Sequence, residues 1–174
     1  MSRRKTSTRE AGRTGVTPAV ALLAGEGIAH RLHEYVHDPR ANSFGMEAAQ
    51  ALGVAPARVF KTLLIALEGD DRRLGVAILP VDAQLALKRA AAALGARSAV
   101  MADVQRAERV TGYVAGGISP LGQRSRLPTA LDESAFDAPT LFVSGGRRGL
   151  EIELAATDLA ALVQAVRASL TAGA

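Results

Sequence analysis

The stretch that decides the fold is VFKTLLIAL, residues 59–67. Its near-continuous content of aliphatic side chains predicts a buried or half-buried β-strand over 58–67. A second apolar run, residues 73–79, follows after the turn-forming residues 68–72. We therefore predict two neighbouring strands in a hairpin-like pair, both of whose faces are covered by other elements.

Lys61 places an ammonium group inside this otherwise apolar strand. Only three of the 21 lysines and arginines in the chain are lysines, so a lysine here runs against the bias of the composition. Lysine is a compact point charge whose pKa changes readily on burial, whereas arginine is planar and permanently charged. Position alone leaves two interpretations open: a functional cation in a pocket, and a lysine on an edge strand whose ammonium reaches solvent.

Further strands and helices are interspersed around this pair. The additional strands are predicted at residues 31–36, 98–100, 140–144 and 150–154. The helices are predicted from Thr17 and Pro18 to about residue 27, around 46–52, from a cap at Asp82 to a stop at Gly95, over 103–109, and along a C-terminal apolar stripe at 159, 162, 163, 166 and 170. Because strands and helices do not alternate strictly, we predict an α+β fold: one domain with a mixed, barrel-like sheet and helices packed around it.

The composition bounds the class of protein. With 174 residues, 48% of them hydrophobic, the chain has the size of one domain with a sizeable core. It has no cysteine and no run of about 18 apolar residues, so we expect neither a cysteine nucleophile nor a membrane span, and we expect a cytoplasmic location. The net charge of +4 resides in residues 1–16, a basic tail predicted to be disordered. The remaining body is nearly neutral and gives only weak support for nucleic-acid binding.

Two glycine-rich segments, residues 111–122 and 144–149, are candidate ligand-binding loops. Such backbone can approach a ligand closely and offer N–H groups to it, and it can equally form a structural loop. Neither segment has the Gly-Lys-Ser/Thr ending of a Walker A loop or the Gly-x-Gly-x-x-Gly pattern of a dinucleotide-binding site. Ser144 does not lie in the Gly-x-Ser-x-Gly pattern of a hydrolase nucleophile, and no histidine and acid follow it to complete a catalytic triad. Arg124 and Arg126, between the segments, fit phosphate binding or a solvated rim. The three histidines lack the further ligands of a tetrahedral zinc site, so we predict no bound metal. We also predict no cofactor.

Five short sequence words occur in the order and spacing of a known family. They are TPA (17–19), EYVHDP (34–39), VFKTL (59–63), GGISPLG (116–122) and VSGGRRGL (143–150). Together they resemble the YbaK family of free-standing Cys-tRNA(Pro) deacylases, which are related to the editing domain inserted in bacterial prolyl-tRNA synthetases. The likeness extends from about residue 17 to about residue 165.

The resemblance implies an editing domain over residues 17–172 that hydrolyses, in trans, the ester between a wrong amino acid and tRNA. The implied partners are the 3′ end of aminoacylated tRNA, Cys-tRNA(Pro) above all, and prolyl-tRNA synthetase. Carried over by position, the resemblance implies catalytic roles for Lys61, Gly116 and Tyr35. It implies substrate binding by four further residues: Phe44, Thr62, Ser144 and Glu151.

In the mechanism that the resemblance implies, the thiol of the mischarged cysteine attacks its own ester carbonyl, so the substrate brings the nucleophile. Lys61 would hold the terminal adenosine or its phosphate and offset negative charge, or would transfer a proton once burial has lowered its pKa. The Gly116 segment would direct N–H groups at the carbonyl oxygen. Two alternatives stay open: a non-catalytic module that binds RNA or a nucleotide in the same pocket, and a relative that clears alanine or serine from tRNA with an activated water.

Overall fold

The structure, a computed structural model, describes residues 16–173. The predicted basic tail, apart from Val16, lies outside the described residues. Five α-helices are present in this range: α1 (Pro18–Glu26), α2 (Phe44–Leu52), α3 (Leu87–Ala93), α4 (Val104–Thr111) and α5 (Ala156–Val163). Two short 3-10 helices cover Pro56–Arg58 and Glu133–Asp137. None of the helices found in residues 16–173 is long and apolar enough to cross a membrane.

The described chain contains eight strands in two sheets. The strands are β1 (His30–Glu34), β2 (Phe60–Leu67), β3 (Leu74–Pro80), β4 (Ala99–Met101), β5 (Thr129–Asp132), β6 (Leu141–Ser144), β7 (Leu150–Leu154) and β8 (Val166–Ala168). One sheet has the order β1-β7-β6 and the other the order β4-β2-β3-β5-β8. The β3–β5 and β5–β8 pairs are parallel and the remaining pairs are antiparallel. The predicted α+β class with a mixed sheet is confirmed, but within residues 16–173 the strands form two open sheets rather than a closed barrel.

Local sequence signals fix the first two helices. Thr17 is the N-cap of α1, its side chain accepts the N–H of Val20, and Pro18 occupies the first helical position. Gly27 ends this helix with a left-handed backbone at φ 65°, a conformation that glycine adopts without a steric penalty. The α2 helix repeats the arrangement with Ser43 as N-cap and Gly53 as C-cap. Both helices therefore begin and end close to where the sequence predicts.

Two predictions about helices are wrong. The C-terminal apolar stripe does not continue as a helix, because α5 ends at Val163 and Gln164 has a left-handed backbone at φ 51°. The next residues form β8, which pairs in parallel with β5 in the register Ala130↔Val166. Asp82 does not cap a helix either, since α3 begins only at Leu87 and its N-cap residue makes no side-chain hydrogen bond.

The β2–β3 pair is buried between two apolar cores, as its sequence predicts. Phe60 and Leu64 of β2 contribute to the larger core, which also contains residues of β6, β7, α1 and α5. Ile65 contributes to the second core on the opposite face, where α3 supplies Ala90 and Ala91. The alternation along β2 thus sends its side chains in turn to the two sides of the sheet.

One edge of β2 is open over a short stretch, and this opening determines where a ligand can enter. At its start β2 is joined to the other sheet by a single parallel bridge between Val59 and Phe142. On the same edge β4 pairs only from Ile65 onward, and the C=O of Leu64 already accepts the N–H of Ala102. Backbone groups of alternate residues share an edge, so the N–H and C=O of Thr62 face the gap between these two contacts.

Candidate active site

A pocket of about 380 Å³ lies at this gap in the edge of β2. It brings together six of the seven residues that the family resemblance implies, although they come from distant parts of the chain. These six are Phe44, Lys61, Thr62, Gly116, Ser144 and Glu151. Apolar side chains from β4 and α4, among them Met101 and Val104, also line the pocket, and nothing in the sequence singled them out.

Tyr35 is not among the residues that line the pocket. It follows β1, packs against the apolar cluster that contains Ala48 and Phe142, and donates its backbone N–H to the C=O of Gly149. Burial, with a further contribution from the negative charge of Glu151, raises the pKa of the Tyr35 phenol to about 12. The phenol is therefore protonated at neutral pH. Its proposed catalytic role stays a prediction without a contact to the pocket.

Lys61 is half-buried and its ammonium is fixed by the backbone. Its Nζ donates a hydrogen bond of 2.6 Å to the C=O of Ala83. Burial lowers the pKa of Lys61, and the nearby carboxylate of Asp82 opposes this shift. A compact cation in a defined position suits the stabilisation of a phosphate or of negative charge that develops on an oxygen.

Three residues that line the pocket, Thr62, Ser144 and Glu151, carry side-chain oxygens, and we call this set the inner wall. Ser144 and Glu151 lie directly opposite each other on β6 and β7, so their side chains share a face of that sheet. Glu151 is 7% exposed, and burial raises the pKa of its carboxyl to about 8. Its Oε2 and the Oγ1 of Thr62 are buried and have no hydrogen-bond partner among the described residues. The Ser144 Oγ accepts the N–H of Gly146 at 3.2 Å.

Gly116 also lines the pocket, in a backbone conformation that favours glycine, with φ +83°. A Cβ atom there would lie 2.9 Å from the ring of Phe44 and 2.9 Å from the Nε of Arg148. The Arg148 side chain donates from Nε and Nη2 to the C=O of Ala115, at 3.0 and 2.7 Å. Its guanidinium carbon lies 4.9 Å from the centroid of the Phe44 ring. Arg148 therefore holds the Gly116 segment against Phe44, a role that the sequence did not reveal.

The two glycine-rich segments contact each other, which explains several of their glycines. A Cβ at Gly117 would lie 2.9 Å from the Cα of Arg147, and one at Gly146 would lie 2.7 Å from the ring of Tyr113. Arg147 is paired with Glu34 at 2.9 Å and does not line the pocket. Arg124 and Arg126 are exposed and do not line it either, so of their two interpretations the solvated rim fits better.

Ser144 has no histidine beside it in the described chain. His33 is the register partner of Glu151, but its Nε2 contacts Glu153 Oε1 at 3.0 Å, and none of the three histidines lines the pocket. Among the described residues Ser144 therefore lacks the neighbouring base that an activated serine nucleophile needs.

Several known proteins are similar to this chain in sequence. The family model described as the aminoacyl-tRNA editing domain matches residues 38–162. EbsC of Enterococcus faecalis, named as a candidate Cys-tRNA(Pro)/Cys-tRNA(Cys) deacylase, is 37% identical over 123 residues, covering 71% of this chain and 74% of EbsC. The uncharacterised protein YwhH of Bacillus subtilis is 31% identical over 113 residues, covering 65% of this chain and 70% of YwhH.

A solved structure shows the same fold. It is described as a candidate trans-editing enzyme for prolyl-tRNA synthetase, and it superposes with a TM-score of 0.78 at 24% identity, covering 96% of this chain and all of the other. These matches confirm the predicted resemblance: the chain belongs to the aminoacyl-tRNA editing domain family and is a deacylase that acts on aminoacylated tRNA.

Proposed function

We propose that this enzyme hydrolyses Cys-tRNA(Pro) in trans, with the thiol of the mischarged cysteine as the nucleophile. The observation that carries the proposal is the chemistry of the pocket wall. It offers a fixed ammonium, hydroxyl groups and a glycine segment, but no histidine lines it and the chain contains no cysteine. The name of the relative EbsC supports the choice of cysteine. Family membership favours this enzyme over the non-catalytic nucleotide-binding module.

The proposed reaction needs no nucleophile from the protein. The cysteine sulfur forms a bond to the ester carbonyl carbon, and the bond from that carbon to the ribose oxygen breaks. The thiol proton ends on the ribose oxygen, which leaves free tRNA and a four-membered cysteine thiolactone. Water then opens the thiolactone to cysteine. The protein contributes position and electrostatics, which account for much of the rate of many enzymes.

Lys61 and Gly116 are the residues that we place next to the reacting atoms. The Lys61 ammonium offsets negative charge on the carbonyl oxygen or on the terminal phosphate, and its lowered pKa also permits proton transfer. The Gly116 N–H forms no hydrogen bond with another described residue and is available to the carbonyl oxygen. Phe44 and Arg148 keep this segment in place.

A second candidate function is the clearance of alanine or serine from tRNA by an activated water. The observation that favours it is the buried carboxyl of Glu151, since a pKa of about 8 suits a general base near neutral pH. In this reaction the Glu151 carboxylate would accept a proton from water as the water oxygen bonds to the ester carbon. The bond from that carbon to the ribose oxygen then breaks, and the proton passes from Glu151 to the ribose oxygen, which leaves tRNA and the free amino acid.

Deacylation of four charged forms of tRNA(Pro) separates the two functions. We expect rapid hydrolysis of the cysteinyl form and little hydrolysis of the seryl, alanyl and S-methyl-cysteinyl forms. Serine and cysteine are similar in size, so volume alone would discriminate poorly, but only the thiol is partly ionised near pH 7. Rapid hydrolysis of the seryl or S-methyl-cysteinyl ester would refute the substrate-thiol mechanism and support the activated water.

We also propose that prolyl-tRNA synthetase presents the tRNA to this enzyme. Outside residues 1–16 the chain has no net charge, so the overall charge of its body gives only weak support for independent tRNA binding. We expect added prolyl-tRNA synthetase to lower the KM for Cys-tRNA(Pro) without changing kcat. An unchanged KM at saturating synthetase would contradict this partnership.

A further inference from the structure

The inner wall of the pocket contains polar atoms whose hydrogen-bonding capacity is unused. Glu151 is 7% exposed, and its Oε2 has no partner among the described residues. The Oγ1 of Thr62 is buried in the same wall and is equally without a partner there. Buried polar atoms are almost always hydrogen-bonded, because leaving one unpaired costs free energy. Two such atoms in residues that line one pocket leave hydrogen-bonding capacity that a bound ligand can use.

The neighbouring groups do not neutralise the Glu151 carboxyl. Glu151 forms no ion pair within the described residues, whereas Glu153, two positions along the same strand, is paired with His33 and Arg58. Lys61 lines the same pocket, but its ammonium is bound to the C=O of Ala83, and the acid that acts on its pKa is Asp82 rather than Glu151. The Glu151 carboxyl is therefore the acidic group of the pocket that is still without a cation.

Ser144 adds a third oxygen at this position. It lies opposite Glu151 on the neighbouring strand, and its Oγ accepts one backbone N–H while its own proton and a lone pair remain. The Thr62 side chain comes from a third strand, β2, and Thr62 lines the same pocket. The wall thus offers oxygens on three strands, which suits a group with several N–H donors and a positive charge.

We propose that Glu151, Thr62 and Ser144 bind the α-ammonium group of the aminoacyl ester. The inference rests on the proposed function only in that an aminoacyl ester occupies the pocket, and it excludes Glu151 as the general base of the second candidate function. The 3′ end of aminoacylated tRNA carries a cation on the acyl group and an anion on the terminal nucleotide. The pocket offers a group for each of these charges, because both Glu151 and Lys61 line it.

This assignment gives the enzyme a specificity beyond the side chain of the amino acid. An acylated α-amino group has lost its positive charge and two of its donors, so the Glu151 carboxyl stays unpaired when such a substrate binds. Peptidyl-tRNA and N-acylated aminoacyl-tRNA should be poor substrates. The enzyme would thereby spare chains under synthesis and act on the free aminoacyl form alone.

The direct test replaces the amine by a group of the same size. We compare tRNA(Pro) charged with cysteine and with 3-mercaptolactate, which keeps the thiol and the ester and carries a hydroxyl where cysteine has its amine. Each kcat/KM is divided by the spontaneous hydrolysis rate of the same ester, because the ammonium also activates the ester itself. We expect the wild-type enzyme to prefer the cysteinyl ester by ~100-fold or more, since sites built around a polar group strongly reject analogues lacking it. Equal corrected values would overturn the proposal.

The Glu151→Gln variant identifies the group responsible. It should lose activity mainly on the cysteinyl ester, so that the preference falls below ~10-fold. The matched control is Glu153→Gln, which removes a carboxylate from the same face of the same strand but outside the pocket, and which should keep the wild-type preference. If Glu151→Gln instead slows both esters equally, Glu151 acts as a base and the proposal is wrong.

The outcome can be separated from a failure of the proposed function. Should the enzyme leave Cys-tRNA(Pro) intact and hydrolyse Ala-tRNA(Pro), the comparison is repeated with alanyl and lactyl esters. A strong preference for the alanyl ester would refute the thiol mechanism and still support the ammonium site.

Discussion

Replacing Glu151 by glutamine should change how the stability of the protein depends on pH. Burial raises the pKa of this carboxyl from 4.5 to about 8 in the folded protein, whereas the unfolded chain ionises near the ordinary value. Between these two pH values the folded state binds one proton more than the unfolded state. The free energy of unfolding therefore falls as pH rises through this interval. Each pH unit costs about 1.4 kcal/mol, so the full interval costs at most about 5 kcal/mol.

The measurement is urea-induced unfolding of the wild-type protein and of Glu151→Gln at several pH values from 5 to 9. All other titrating groups are shared, so the difference in unfolding free energy isolates Glu151. We expect the unfolding free energy of the variant, relative to that of the wild type, to increase with pH by up to about 1.4 kcal/mol per pH unit and to level off above pH 8. A difference that is independent of pH would show that the carboxyl is already ionised in the folded protein, which would refute its burial without a partner.

Glu153→Gln provides a control of opposite sign. A hydrogen bond from Thr140, together with His33, holds the pKa of Glu153 below its usual range. A lowered pKa contributes stability that is present above the unfolded pKa and is lost as pH falls. The Glu153→Gln variant should therefore be less stable than the wild type at neutral pH, and the deficit should shrink in acidic solution, opposite to the trend expected for Glu151→Gln.

Three further predictions concern deacylation rates. Lys61→Ala and Lys61→Arg should both abolish turnover while circular dichroism shows an intact fold, and near-normal turnover of either would exclude Lys61 from the site. Gly116→Ala should lower kcat by ~100-fold, because the backbone there has positive φ and the added Cβ would meet the ring of Phe44 and the guanidinium of Arg148. The control Gly25→Ala, whose added Cβ would have open space around it, should leave kcat unchanged. Arg148→Ala should lower kcat by up to ~100-fold, and free guanidinium should partly restore it, whereas Arg147→Ala should leave kcat unchanged. A normal kcat in Arg148→Ala would show that the Arg148 contacts are dispensable.

Features that depend on a few adjacent residues could be predicted from the sequence. The helix boundaries at Thr17 and Gly27 follow from capping, which involves atoms no more than one turn apart. The strand around Lys61 follows from its apolar run and the neighbouring turn. The six pocket residues were located through the family resemblance, and spacing alone would not have united Phe44 with Glu151.

Features decided by distant pairing could not be predicted. The strand β5 has four residues and no periodicity of its own, and it exists because β3 and β8 lie on either side. Val166 continues the helical spacing of the α5 stripe, but pairing with Ala130 and the left-handed turn at Gln164 place it in a strand. The same holds for Arg148, whose bond to Ala115 joins two loops separated by 33 positions.

The pairing of β1 with β7 has a consequence for the synthesis of the protein. His30 near the start of the described chain lies opposite Leu154 near its end, so β7, the strand that carries Glu151, is completed by contacts across more than a hundred positions. Loop-closure entropy makes such distant contacts slow to form. A chain still on the ribosome cannot assemble this wall until β7 has emerged. We therefore expect truncation before residue 150 to leave no active fragment.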